Sequence, residues 1–470
     1  MFLTVVTGQF KELIFLNNLI DLQMLFCVIS ALFLIRNIAF KGERPQIKQG
    51  LLATGLFLAL GLIMAISLLY TISPAYSVQK LVRYFSVCLP LIPLGYLIIN
   101  SRAAIKRLII TVSAYGIFLS ADLLIEMLPL KPVNFVMPLA TDYLIASRYI
   151  SYAFFALLIF YLFEKKLKTK ILYLAGSSLC FAALLRSYAR FTICTVLIFI
   201  ALLWCVLIFV KFKNKVKLLK SYACLFSAFV IIFAGFTALG FTETLTMRLK
   251  IFGEDVTHTS TQKEMSQHEQ DVMNKLIAVN GKTSEQLYSP KEIKDMGMSL
   301  SYEEKEKIFK SRPFSSRTKL FEKSMMMIKD RPILGYGIGS FSAYYINRDG
   351  YGYPHVVLTE LWAELGLFGI LIFLFALVFA IREIYRGIKI APESFSKWYI
   401  IYILIAFNLF LLVFTSDVVN GTRFLYVILA SAFGIRVALQ RRNGSEIIKA
   451  ANKKGTVPND KKVKKHPKSI

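Results

Sequence analysis

Acidic side chains are scarce, with 29 Asp and Glu against 56 Lys and Arg, and charge of either sign makes up only 18% of the 470 residues. Hydrophobic residues make up 56%, above the roughly 45–50% of a soluble domain, and this excludes a water-soluble globule. Tryptophan is nearly missing, at three residues against 39 Phe, and no ten-residue alternation of apolar and polar positions occurs, which excludes an outer-membrane barrel. There is no CxxC pair: Cys27, Cys88, Cys180, Cys194, Cys205 and Cys224 all sit inside apolar runs. A disulfide framework and a zinc site are therefore not indicated, and the six read as small core residues. No cleavable leader is visible, because Lys11 and Glu12 interrupt the first apolar stretch and another long one follows.

What is abundant is apolar sequence in runs of about 17 to 25 residues, the length that crosses a hydrocarbon core of about 30 Å. Spans are predicted at 19–40, 51–72, 84–99, 108–128, 145–163, 171–185, 191–210, 222–241, 356–380, 398–415 and 422–438. The predicted fold class is all-α, a polytopic bundle of about 11–12 transmembrane helices with one large extracytoplasmic loop. The net charge of +27 signals topology here rather than nucleic acid. Basic residues gather in alternate loops, at Arg36 to Lys48, Arg102 to Arg107, Lys165 to Lys170, Lys211 to Lys220 and Arg382 to Lys397, which places those loops in the cytoplasm. The organisation expected is membrane helices over 1–241, a large outer loop over 242–354, further membrane helices over 355–438, and a basic, disordered cytoplasmic tail over 439–470. Within the outer loop, 254–312 is polar and reads as a mobile insertion, whereas 313–354 returns to Pro, Gly and aromatic residues and reads as a packed segment.

The outer face has few lysines near the membrane, Lys80 and Lys131 being the clear cases, but carries Arg83, Arg148, Arg186, Arg190, Arg317 and Arg423. A guanidinium grips phosphate oxygens with two parallel hydrogen bonds where an ammonium is a point charge, so the group as a whole points to an outward-facing diphosphate site. For any single arginine the weight falls on lipid headgroups or on pairing with Asp142, Glu243 or Asp417. Of four histidines, only His355 is well placed, where the long loop meets the next helix. A neutral imidazole there can take a proton from a sugar hydroxyl; a capping or interfacial role beside Pro354 has equal weight on position alone. The run Arg331-Pro-Ile-Leu-Gly-Tyr-Gly-Ile-Gly-Ser-Phe341 lacks the spacing of a dinucleotide fingerprint, and its glycines allow tight turns and close backbone approach. There is no P-loop, no Asp-x-Asp pair and no Cys/His cluster. Neither cofactor nor metal is indicated, and donor activation is assigned to a pre-energised lipid carrier.

The stretch 316–369 combines Arg317, the Asp-Arg-Pro-Ile-Leu-Gly-x-Gly-x-Gly-x-Phe run, and His355 followed by Glu364-Leu-Gly366-Leu-Phe-Gly369. It resembles the signature of the O-antigen ligase and O-antigen polymerase superfamily. Ser187-Tyr-Ala-Arg190 and Thr415-Ser-Asp417 are similar to further family motifs. The chain departs from the pattern in Val356, which stands where Asn is common, in the insertion 254–312, which is longer than usual, and in the two residues that separate Ser187 from Arg190. The resemblance implies a metal-independent glycosyltransferase of the bacterial inner membrane with its active-site loop on the periplasmic side. Its donor would be an undecaprenyl-diphosphate-linked glycan and its acceptor lipid A-core or a growing glycan, with membrane lipid as surroundings and no nucleic acid partner. By the same resemblance Arg190 and Arg317 bind the diphosphate, Arg186 and Arg148 are secondary candidates, and His355 orients or deprotonates the acceptor hydroxyl. Glu364 is expected to be a buried partner for an arginine or a backbone donor. Ligase, polymerase and protein O-oligosaccharyltransferase share the signature. A lipid-linked glycan flippase is the rival of another class, disfavoured because only scattered acids such as Asp122 and Glu126 occur inside the spans.

Overall fold

The computed structural model describes residues 14–15, 20–21, 25, 27–32, 36, 47–125, 143–187, 189–209, 215–239, 317–347, 349–350, 352–414, 418–419 and 423–440. Apart from a two-residue antiparallel pair, Ile14–Phe15 with Ile20–Asp21, the described elements are helical. In chain order they are α1 (Ile47–Ser67), α2 (Pro74–Ile98), α3 (Arg102–Ile125), α4 (Tyr143–Phe163), α5 (Leu167–Ser187), α6 (Arg190–Phe209) and α7 (Lys215–Ala238). After 317 come α8 (Arg317–Asp330), α9 (Phe341–Ile346), α10 (Val357–Ile390), α11 (Ser396–Leu411) and α12 (Arg423–Gln440).

Among the described residues nine helices are long and apolar enough to cross a membrane, and α6 adds a shorter apolar stretch over Arg190–Ala201. The chain is thus an all-α polytopic bundle, as the hydropathy pattern predicts. The predicted span 19–40 falls largely outside the described residues, as do the insertion 254–312, the tail from 441, Lys131, Asp142, Glu243 and Asp417.

Helix α2 begins ten residues before the predicted span at 84. Its first part, Pro74–Arg83, is polar on one side; Pro74 fits the first turn, where its missing N–H is no loss. A π-helical turn at Tyr84–Cys88 follows, just before Pro90 and Pro93, whose missing N–H groups break the regular ladder.

Two helices are buried nearly all round, α4 and α12, and the others pack about them. Tyr426 of α12 meets Phe57 of α1 and Tyr84 of α2 edge to face, with centroids 5.4 and 6.2 Å apart. Gly95 brings α2 against Val427 and Ala430 of α12. Phe424 joins α12 to Tyr149 and Tyr152 of α4. The outer faces are apolar instead of polar, with Leu58 and Leu62 on α1 and Phe368, Leu371, Phe375 and Val378 on α10 all exposed, as a lipid-facing surface requires. Cys194 and Cys224 also lie exposed, so the expectation that the cysteines are all core residues holds only for Cys27, Cys88 and Cys180 among those described.

The two ends of the bundle differ in their cations. At one end, here the lysine end, Arg102 caps the last turn of α12 by donating to the Leu439 carbonyl from Nε and Nη2 at 2.8 and 2.6 Å. At the same end Lys106 lies over Phe395 and Trp398, and Glu383 pairs with Arg386 and Arg436. The opposite, arginine end carries the N-termini of α2, α4, α6, α10 and α12, and α8 and α9 lie there.

Candidate functional site

The site is built around a break in α10. At Gly366 the backbone turns to φ 67° and ψ −161°, a region that only glycine adopts readily. The break frees backbone groups that a continuous helix would pair internally, and the glycine run supplies their partners. Tyr336 N–H donates to the Ala363 carbonyl at 3.0 Å, Gly337 N–H to the Glu364 carbonyl at 2.8 Å, and Leu367 N–H to the Ile333 carbonyl at 3.1 Å. Gly335, Gly337 and Gly339 all have positive φ, and a Cβ at Gly335 would lie 2.5 Å from the Glu364 carbonyl oxygen. The tight turns and close approach predicted from the sequence are therefore present, and their target is the interrupted helix.

The other side of the glycine run rests on the turn between α1 and α2. Ser67 Oγ accepts from Ile338 N–H at 3.0 Å, and the Ile338 carbonyl accepts from Thr71 at 3.2 Å and from Ser77. Gly337 packs so closely on Thr71 that a Cβ would sit 2.6 Å from its Cα. Asp349, from the segment leading to His355, reaches the same turn. Its carboxylate accepts from Ser73 Oγ at 2.5 Å, Ala75 N–H at 2.9 Å and Tyr76 N–H at 3.0 Å. It thereby caps α2 from another part of the chain, because Ser73 makes no side-chain cap of its own. Burial pushes the Asp349 carboxyl up, but the Ser73, Tyr76 and Ala75 hydrogen bonds outweigh it and hold the group below the ordinary carboxylate range.

Above this joint α8 and α9 form a small second core with α10, made of Leu320, Met327, Ile328, Phe341 and Ala363. Trp362 Nε1 donates to the Pro332 carbonyl at 3.0 Å. Tyr336 and Tyr344 meet edge to face at 5.0 Å and both donate to Asp330 Oδ2, at 3.1 and 3.0 Å. Burial, then the bond to Asp330, pushes the Tyr344 phenol up to about 12.

Of the predicted site residues, His355 and Arg317 lie on segments that meet this joint. His355 stands where the loop meets the helix, two residues before α10, with Val356 as the N-cap. Its backbone is left-handed at φ 61°, a conformation uncommon outside glycine though less so for His than for most residues. Its ring lies 4.3 Å from that of Tyr353. Arg317 is the first residue of α8. Arg148, Arg186 and Arg190 lie on three helices that contact one another, α4, α5 and α6. Arg186 lies in the last turn of α5, Arg190 opens α6, and Ser147 of α4 is 3.0 Å from Thr192 of α6. Arg186 is fully buried, at 0% exposure, while Arg148 and Arg190 are half-buried. Arg423 opens α12, and its neighbour Phe424 packs on Tyr149 and Tyr152, so it borders the same end.

Sequence reasoning missed two features. Lys80, read as an outer cation, is 3% exposed and lies between Glu360 at 2.5 Å and Glu364 at 2.6 Å. The buried partner of Glu364 is thus a lysine instead of an arginine. The signal that was available is the spacing of Glu360 and Glu364, one helical turn apart and so on one face of α10. Asp349 was not singled out either; a lone acid in a Gly- and Tyr-rich loop carries no readable pattern. Among the described residues no three His, Cys, Asp or Glu side chains converge as a metal site would need.

Residues 175–374 match the O-antigen ligase family. The resemblance to the O-antigen ligase and polymerase superfamily, drawn from 316–369, holds over this longer stretch, which runs from within α5 to within α10. The O-antigen ligase match takes in Arg186, Arg190, Arg317, the glycine run, Asp349, His355, Glu360 and Glu364, and leaves out Lys80, Arg83 and Arg148. No curated protein matches the chain.

Proposed function

We propose that this protein is a glycosyltransferase of the bacterial inner membrane that moves a glycan from an undecaprenyl-diphosphate carrier to a sugar hydroxyl. The observation that carries this reading is the O-antigen ligase match, because one continuous stretch contains Arg186, Arg190, Arg317, the glycine joint and His355 together. In this proposal the arginine end of the bundle faces the periplasm.

The bond that breaks joins the sugar anomeric carbon to the diphosphate, and the bond that forms joins that carbon to the acceptor oxygen. Negative charge grows on the departing diphosphate. Guanidinium groups at Arg190 and Arg317, with Arg186 and Arg148 as secondary candidates, would stabilise that charge through paired hydrogen bonds. The acceptor hydroxyl gives up its proton as it attacks, and His355 would orient that hydroxyl and take the proton. The geometry that supports this division is the placement of His355 immediately before a helix fixed by the glycine joint, since a base must be held within hydrogen-bond reach of its proton.

The test is transfer by the purified protein in lipid nanodiscs, given an undecaprenyl-diphosphate glycan and, in separate reactions, lipid A-core, a glycan repeat or an acceptor peptide. A product with the first acceptor identifies a ligase, with the second a polymerase, and with the third a protein O-oligosaccharyltransferase. No transfer to any of them, together with translocation of the lipid-linked glycan in proteoliposomes, would overturn the proposal in favour of a flippase.

A further inference from the structure

Lys80, Glu360 and Glu364 form the described ionic cluster buried between helices, at 3%, 1% and 2% exposure, and the reaction outlined above leaves it without a task. We infer that Lys80 is a positioning residue, which clamps the start of α10 to α2 and so sets where His355 stands relative to the arginine end. This inference rests on the glycosyl-transfer reading.

The cluster ties together four parts of the chain. The Lys80 ammonium on α2 donates to Glu360 Oε1 and Glu364 Oε2 on successive turns of α10. Glu360 Oε2 accepts from Val418 N–H at 3.0 Å, which attaches the segment before α12. The Glu364 carbonyl accepts from Gly337 N–H at 2.8 Å, which attaches the glycine run. With its ammonium enclosed between two carboxylates, Lys80 is committed to the protein and is not an outward cation for phosphate. Glu360 and Glu364 stand ~5 and ~11 Å along the helix rise from Val357, the first residue of α10, which follows His355 by two. Arg83 lies three residues beyond Lys80, on the same helix.

A buried ion pair is weak as a source of stability, because desolvation offsets most of the attraction, and its best-supported use is to fix one arrangement over others. Here the arrangement fixed is that of a helix whose first residue follows His355 by two. A displacement of about 1 Å in an aligned site costs about 10²-fold in rate. Stability and turnover should therefore respond differently when the clamp is replaced by uncharged groups.

Lys80→Met alone would leave two carboxylates buried without their cation and is expected to fold poorly. The informative variant is the triple Lys80→Met, Glu360→Gln, Glu364→Gln, which buries no charge. It should keep the wild-type unfolding temperature in detergent and a donor KM within about two-fold, while kcat falls about 10²-fold. Wild-type kcat in the triple variant, or a fall matched by lost folded protein, would overturn the inference. A second measurement needs no activity: spin labels at Val78 and Leu367, both exposed, in a cysteine-free background. Their distance distribution should be narrow with the clamp and broader without it, and an unchanged distribution would also overturn the inference. If the wild type transfers no glycan, the glycosyl-transfer reading fails, and the label distances still decide whether the clamp exists.

Discussion

Gly366→Ala attacks the joint directly. The residue sits at φ 67° and ψ −161°, where a non-glycine residue costs about 1–3 kcal/mol in backbone strain. A Cβ there would land on the Ile333 carbonyl and 2.7 Å from the Leu334 carbonyl carbon. Both are backbone atoms of the glycine run, so no side-chain rotation relieves the clash. The run must lift, and three hydrogen bonds go with it: Tyr336 to Ala363, Gly337 to Glu364 and Leu367 to Ile333. At about 1 kcal/mol each, with the strain added, the loss is about 4–6 kcal/mol if the run is displaced fully. Gly55→Ala is the matched control, because it lies within α1 and a Cβ there meets nothing within 4 Å; it should be neutral or gain about 0.5–1 kcal/mol. Thermal unfolding in detergent and the rate of glycan transfer should both drop sharply for Gly366→Ala and hold for Gly55→Ala. Wild-type unfolding and transfer in the Gly366 variant would refute the claim that the joint organises the site.

Three other outcomes are expected. Arg190→Lys and Arg317→Lys keep the charge but lose the paired hydrogen bonds, and each should cut transfer by about 10²-fold or more, with Arg→Ala no better. Asp349 has a lowered native pKa, so its contribution is complete above the unfolded carboxylate value of about 4 and disappears as pH falls through the lower native one. Asp349→Ala should weaken the α2 cap by about 1 kcal/mol at neutral pH and flatten the acid limb of an unfolding-temperature profile; a limb identical to wild type would remove the cap from the account. Single cysteines at 280 and 455 in a cysteine-free background should react with an impermeant thiol reagent from outside and from inside respectively, and labelling of both from outside would contradict the proposed orientation.

The spans were legible because hydropathy over about 20 residues is a strong signal. The start of α2 was not, since Ser73, Pro74, Ser77, Gln79, Lys80 and Arg83 dilute its apolar content, and its N–H groups are satisfied by Asp349 far along the chain. Glycines 335, 337 and 339 announced a tight backbone approach but not its object, because the partner carbonyls of Ala363 and Glu364 become available only when Gly366 interrupts α10. Lys80 was misread for a related reason. A lysine near a membrane face reads as a surface cation, and only the packing of α2 on α10 brings two carboxylates around it. That the helix ends carrying Arg148, Arg186 and Arg190 lie at one end of the bundle was implicit in the alternation of the loops.

The most direct measurement of the central claim is turnover and donor binding in His355→Ala, with purified undecaprenyl-diphosphate glycan and acceptor. If His355 serves the acceptor while the arginines hold the donor, kcat should fall by about 10² to 10⁴ with donor affinity nearly unchanged. Full turnover in His355→Ala, or a loss confined to donor binding, would contradict the account.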